Sequence, residues 1–175
     1  MPANEKGAQN AEHKKKPVSL SISYGKPNYR WQMLFNSFEI ERLDYGVMVR
    51  VAFVYSRPGY ERTAAEIVPF IISNEGLEQL KETSKKYVTQ FGTVAPLEQP
   101  PLPAARQFSP LFANHVRLAR SGGCAEIALY TVPLMEVAAA ARGQRAEDAD
   151  VECVQVGLLH SDTLTHERLV LGLLS

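Results

Sequence analysis

The residues of this chain best suited to chemistry are its four histidines and two cysteines. His160, Asp162 and His166 have the donor types of a metal site. The spacing puts His160 just before a helix cap and His166 inside the helix, so they need not converge, and no metal is expected. Cys124 and Glu126 would share one strand face, with His115 on a neighbouring strand, the outline of a nucleophile set. No nucleophile elbow or helix N-terminus accompanies Cys124, so no catalytic residue is assigned. Ser121-Gly122-Gly123 lacks the Gly-Lys-Ser/Thr of a phosphate loop and reads as a hairpin turn. His13 lies in a polar leader. The two cysteines are read as reduced thiols, a single bridge between them staying open.

A second set suits nucleic acid. Lys14, Lys15 and Lys16 form a basic run, Arg106, Arg117 and Arg120 lie near each other in sequence, and Arg30 and Trp31 with Tyr24 and Tyr29 set stacking rings beside positive charge. The competing reading makes the lysines a solvated leader and the rings packing residues. The formal net charge is zero, which gives no long-range attraction to nucleic acid or anionic lipid. No stretch is long and apolar enough to span a membrane, no secretory signal is visible, and the expected compartment is the cytoplasm. No cofactor is implied.

The elements that would hold these residues are mostly strands. Residues 1–17 are a polar, disordered tail. Val18, Leu20 and Ile22 alternate with serines, the period of a half-buried strand. Residues 31–40 form a second strand and residues 47–55 (VMVRVAFVY) the clearest one. Residues 61–72 form another, which Pro69 assigns to a sheet edge or a bulge. Ser73 caps a helix with a stripe of Leu77, Leu80, Ser84, Tyr87, Val88 and Phe91, stopped by Gly92. Residues 93–107 are an extended Pro-rich linker. Strands follow at 111–118, 124–132 and 151–159, with a short helix at 134–141. Ser161 or Asp162 caps a last helix, 163–174.

The two halves share this order. Asn36 corresponds to Asn114, residues 47–52 to 125–130, and the capped helix after Ser73 to the last helix, with an insertion near 134–142. The expected fold is α+β: two antiparallel β-meander units with C-terminal helices, 18–92 and 108–175, packed as a pseudo-two-fold duplication. Three strands and one helix make too small a core to stand alone, so the units must share one.

The stretch Phe108-Ser109-Pro110-Leu111-Phe112-Ala113-Asn114-His115-Val116-Arg117-Leu118-Ala119-Arg120 resembles the opening of a small bacterial strand-rich family of unknown function. There a Tyr-or-Phe/Ala/Asn strand leads into an acidic-apolar strand and a capped C-terminal helix. Asn36 and the helix after Ser73 are similar, which implies two tandem copies. The family's capping proline is missing at both caps. The resemblance implies architecture and no mechanism. The function expected is a non-enzymatic binding or assembly module that associates with itself or a protein partner. The alternatives are a nucleic-acid accessory protein using Lys14–Lys16, Arg30, Trp31, Arg117 and Arg120, or an unrecognised enzyme or ligand-binding domain.

Overall fold

Alternating side chains set the strands. In β4 (Gly46–Tyr55), Val47, Val49 and Val51 are fully buried on one face. β4 pairs antiparallel with β3 (Ser37–Leu43) across a tight turn, and with β5 (Thr63–Ser73). A computed structural model describes residues 21–24, 32–88, 99–141 and 150–175. The lysine run, Arg30, Trp31 and Gly92 lie outside them. The fold is α+β and rich in strands. Among the described residues no helix is long and apolar enough to cross a membrane.

The strand expected over 31–40 is two strands in different sheets. Asn36 divides it. Its Nδ2 donates to the Val54 carbonyl at 2.9 Å, its Oδ1 accepts from the Val54 N–H at 2.8 Å, and its own N–H donates to Ala52 at 3.1 Å. The side chain thus does the work of a strand neighbour, and the backbone before it is free to leave. Phe35 donates to the carbonyl of His160, and β2 (Gln32–Leu34) pairs in parallel with Leu158–His160 of β10 (Asp150–Asp162).

The strand expected over 111–118 breaks in the same way at Asn114. Nδ2 donates to Val132 at 2.8 Å, Oδ1 accepts from Val132 at 2.7 Å, and the Asn114 N–H donates to Tyr130 at 3.1 Å. β7 (Leu111–Ala113) pairs in parallel with Phe70–Ile72 of β5, while β8 (His115–Ser121) pairs antiparallel with β9 (Cys124–Thr131). A shift of 78 (114 − 36) carries the β3–β4 register onto β8–β9, and a shift of 89 (162 − 73) carries β5 onto β10. Met33 opposite Leu159 and Leu111 opposite Phe70 are one such matching pair.

Two five-stranded sheets result, β3-β4-β5 with β6 (Arg106–Gln107) and β7, and β8-β9-β10 with β1 (Ser21–Tyr24) and β2. Val49, Phe70 and Ile72 of the first meet Val116, Ile127 and Leu159 of the second in one core. α1 (Asn74–Val88) adds Leu77 and Leu80, and α3 (Thr163–Leu174) adds Leu169 and Leu173. Ser73 caps α1, its Oγ accepting from Gly76 N–H, and Asp162 rather than Ser161 caps α3, accepting from Thr165 N–H at 2.9 Å. Each helix reaches across to the other half's edge strand. The Val116 N–H of β8 donates to Gln79 of α1, and Arg42 of β3 donates to the carbonyls of Gly172 and Leu173 of α3.

Pro69 is not on an edge strand, since β5 lies between β4 and the pair β6/β7. β5 does carry a bulge, between Ala64 and Ile67 and opposite Ala52–Val54. Ile67 gives its carbonyl to Phe108 on the β6/β7 side, so the nitrogen of Pro69, two residues on, points to that side too. There it falls between the positions paired with β6 (66–67) and with β7 (70–72), where no N–H is called for.

The described end of the Pro-rich stretch is a strap. Gln99 accepts from the Phe38 N–H at 3.1 Å, the Leu102 N–H donates to Glu39 at 2.7 Å, and Arg62 donates to the Pro101 carbonyl at 3.2 Å. Leu102 and Ala105 cover Ala52, Val54 and Ile67 on the outer face of the first sheet.

Candidate functional site

The corresponding outer face of the second sheet carries different chemistry. The hairpin turn at Gly122-Gly123, with Gly122 at φ 59°, sets Ser121 opposite Cys124 and hence His115 opposite Tyr130. β1 lies along β10 with Tyr24 opposite Cys153. Tyr24 is thereby brought over His115, Arg117 and Tyr130. Its hydroxyl and His115 Nε2 share a hydrogen bond of 2.6 Å. Its ring meets Tyr130 edge-on at 5.1 Å and lies under the Arg117 guanidinium at 4.3 Å. Below, Cys153 donates to the Ser23 carbonyl at 3.3 Å.

The cluster latches β1 onto the second sheet, and burial and Arg117 set its electrostatics. Burial pushes the Tyr24, Tyr130 and Cys153 pKa values up, with Arg117 opposing it in each case. Burial, with Arg117 adding to it, holds His115 below the usual histidine range. Tyrosine and thiol are thus held toward their protonated neutral forms, and the imidazole toward its free base.

The site residues suggested by sequence are dispersed. Cys124 is exposed at the turn end of β9 while His115 pairs with Tyr130 at the far end, about 20 Å away at strand rise. Glu126 lies beside His160, Oε2 and Nδ1 3.9 Å apart. His166 is buried on the core side, and the Asp162 carboxylate is taken up by Thr165. Among the described residues no group of three His, Cys, Asp or Glu side chains could hold a metal. Cys124 and Cys153 are both free thiols at opposite ends of β10. Arg117 and Arg120 point to opposite faces of β8 by strand alternation. Arg117 is engaged as above and Arg120 pairs with Glu167 at 3.0 Å.

Sequence reading passed over Tyr130 and Cys153. The signal for Tyr130 was the two-residue turn, whose register alone puts it beside His115. Nothing local marks Cys153, since its place depends on which edge β1 takes.

Two hollows lie among the described residues. A cavity of about 70 Å³ between the sheets is lined by Met33, Val68, Phe108, Leu111, Gly157 and Leu159. An open depression at the β4–β5 loop is lined by Tyr55, Arg57, Tyr60, Glu61 and Thr63.

No family model, curated protein or solved structure matches this chain.

Proposed function

We propose that the protein is a non-enzymatic binding module, an internal duplication of a three-strand-and-helix unit with approximate two-fold symmetry, whose recognition surface is the outer face of the second sheet. The recurrent hydrogen bonds of Asn36 and Asn114, and the shared register, support the duplication. The resemblance to a small bacterial strand-rich family supports it too, with one copy per half.

The observation that carries the reading is the difference between matched positions. Side chains needed by the fold recur in kind, as the two asparagines do. On the outer faces, His115 stands for Ser37, Arg117 for Glu39, Tyr130 for Ala52, Glu126 for Met48 and His160 for Ile71. The second face thus carries an aromatic cluster of Tyr24, His115 and Tyr130, where the first carries the ion pairs of Arg50 with Glu39 and Glu41. Leu34, opposite His160, is 55% exposed, and Leu134 and Met135 of α2 (Leu134–Ala141), which follows β9, are 58% and 79% exposed. Apolar anchors with polar neighbours are the makings of a protein interface.

The test is recovery of partners by tagged protein from its native cell. Leu34→Ser with Met135→Ser should abolish recovery of a stoichiometric protein. Phe112→Ser, the match of Leu34 on the first sheet, should leave it intact. Equal loss from both would overturn the assignment of the face, and recovery that vanishes with nuclease would transfer the surface to nucleic acid.

A further inference from the structure

We propose that the cavity between the sheets binds a free amino acid with a branched aliphatic side chain. The cavity holds the ligand's isopropyl group, while Glu66 and Arg106 at the mouth take its ammonium and its carboxylate. This site lies between the sheets, apart from the outer face proposed above as the recognition surface.

The cavity grades from an apolar floor to a polar rim. Val68, Gly157 and Leu159 are buried, Met33 and Phe108 are half-buried, and Gln32 and Glu66 are exposed. Its mouth is therefore beside Glu66. Its volume is about 70 Å³. A cavity of roughly 150 Å³ takes the six carbons of benzene, so this one takes about three, an isopropyl group.

Strict repetition of the first half in the second would close it. Gly157 stands where β5 has Val68, and both line the cavity, so valine at both places would fill it. A glycine inside a strand packs nothing and weakens the strand, and it marks places where a ligand comes close to the backbone. Both strands are also irregular here. The register of β10 with β9 shifts between Gln155 and Gly157, and Glu66 lies in the bulge of β5. Bulges re-aim side chains and are enriched beside functional sites.

The mouth carries one charge of each sign. Arg106 is the partner of Glu66 across the β5–β6 ladder, where strands lie about 4.8 Å apart. Its guanidinium lies over the Phe108 ring, 5.2 Å from the centroid. Among the described residues the two charges form no ion pair with each other. A carbon bearing both an ammonium and a carboxylate complements both. An alkylamine would leave Arg106 without a counter-charge, and a short fatty acid would leave Glu66 without one.

The experiment follows the methionine methyl resonances of full-length protein carrying ¹³C-methyl methionine. The Met33 signal, identified by its loss in Met33→Leu, reports the cavity, and that of exposed Met135 serves as control. L-leucine and L-valine are expected to shift the Met33 signal saturably and leave Met135 in place. Glycine, with the head group alone, and isoamyl alcohol, with the branched body alone, should not shift it at the same concentrations. Glu66→Gln and Arg106→Gln should each weaken leucine binding by about tenfold or more. Gly157→Val should abolish it. Gly157→Ala, whose Cβ would meet Leu129 and Leu111 at 3.4 and 3.5 Å, should weaken it in a chain that still folds. A Met33 signal that no branched amino acid moves in the folded parent overturns the proposal. So does an equal shift with isoamyl alcohol, or leucine binding that is unchanged in Gly157→Ala.

Discussion

Asn114 holds Val132 by both backbone groups, donating to its carbonyl at 2.8 Å and accepting from its N–H at 2.7 Å, as Asn36 holds Val54. The Asn114 pair is buried, whereas the Asn36 pair is partly so. Asn114→Ala leaves a buried N–H and C=O unpaired, at roughly 1–3 kcal/mol each, less whatever water recovers. We expect a loss of about 2–4 kcal/mol for Asn114→Ala and a smaller one for Asn36→Ala. Midpoints of urea unfolding measure both. Equal, negligible shifts would show that the clamps do not hold the crossovers.

The crossovers make the halves interdependent. Phe70 and Ile72 share a core with Ile127 and Leu159, and each helix bonds to the other half's edge strand. Residues 1–92 and 93–175, made as separate chains, are expected to be unfolded alone and to recover the native circular dichroism spectrum with cooperative melting on mixing. A cooperative transition in either fragment alone would refute a shared core.

Much of the scaffold is legible in the sequence because it is local. The alternation of Val47, Val49 and Val51 fixes β4, and Ser73 marks the start of α1. The splitting of 31–40 is not local. Phe35 and Ser37 continue the alternation through Asn36, and nothing there says that Met33 will pair with Leu159. Period-2 patterning gives the faces of a strand, not its neighbour. The site is missed for the same reason. Tyr24 and His115 are separated by 91 residues, whereas Cys124, Glu126 and His115 look close in sequence and are parted by the length of a hairpin.

His166 stands in α3 where Leu77 stands in α1, is 1% exposed, and leaves Nδ1 without a hydrogen-bond partner. Burial first, and the nearby Arg120 second, push its pKa down to about 4 from 6.5. Above pH 6.5 it is neutral in both folded and unfolded chains and adds no pH dependence. Between 6.5 and 4 the unfolded chain takes up a proton that the folded one refuses. Stability therefore falls with pH by up to ~1.4 kcal/mol per unit, about 3 kcal/mol in all, and falls no further from this group below 4. His166→Leu should remove that slope and raise stability near pH 5. Asp162 and Glu75, whose pKa values are lowered, contribute their own loss at lower pH, so the difference between variant and parent is the quantity to measure. Parallel curves for the two proteins from pH 7 to 4.5 would show that His166 does not titrate as buried.

Two glycines should respond in opposite senses to the same substitution. Gly157 stands where β5 has Val68, and this missing side chain opens the cavity between the sheets. A Cβ there would lie 3.4 Å from Leu129 Cδ1 and 3.5 Å from Leu111 Cδ1, in ordinary contact. Gly157→Ala is expected to stabilise by roughly 0.5–1 kcal/mol, through a less free unfolded chain and a partly filled void. Gly76, in the first turn of α1, allows the helix to approach β7 and β8 closely. A Cβ there would lie 2.9 Å from Ile72 Cγ2 and 3.1 Å from the carbonyl carbon of Asn114, which the paired hydrogen bonds to Val132 hold in place. Since that backbone cannot give way without disturbing the clamp, Gly76→Ala should cost about 1–3 kcal/mol despite the better helix propensity of alanine. Thermal unfolding of the two variants beside the parent decides it, and a stabilising Gly76→Ala would mean that α1 is not held against Asn114.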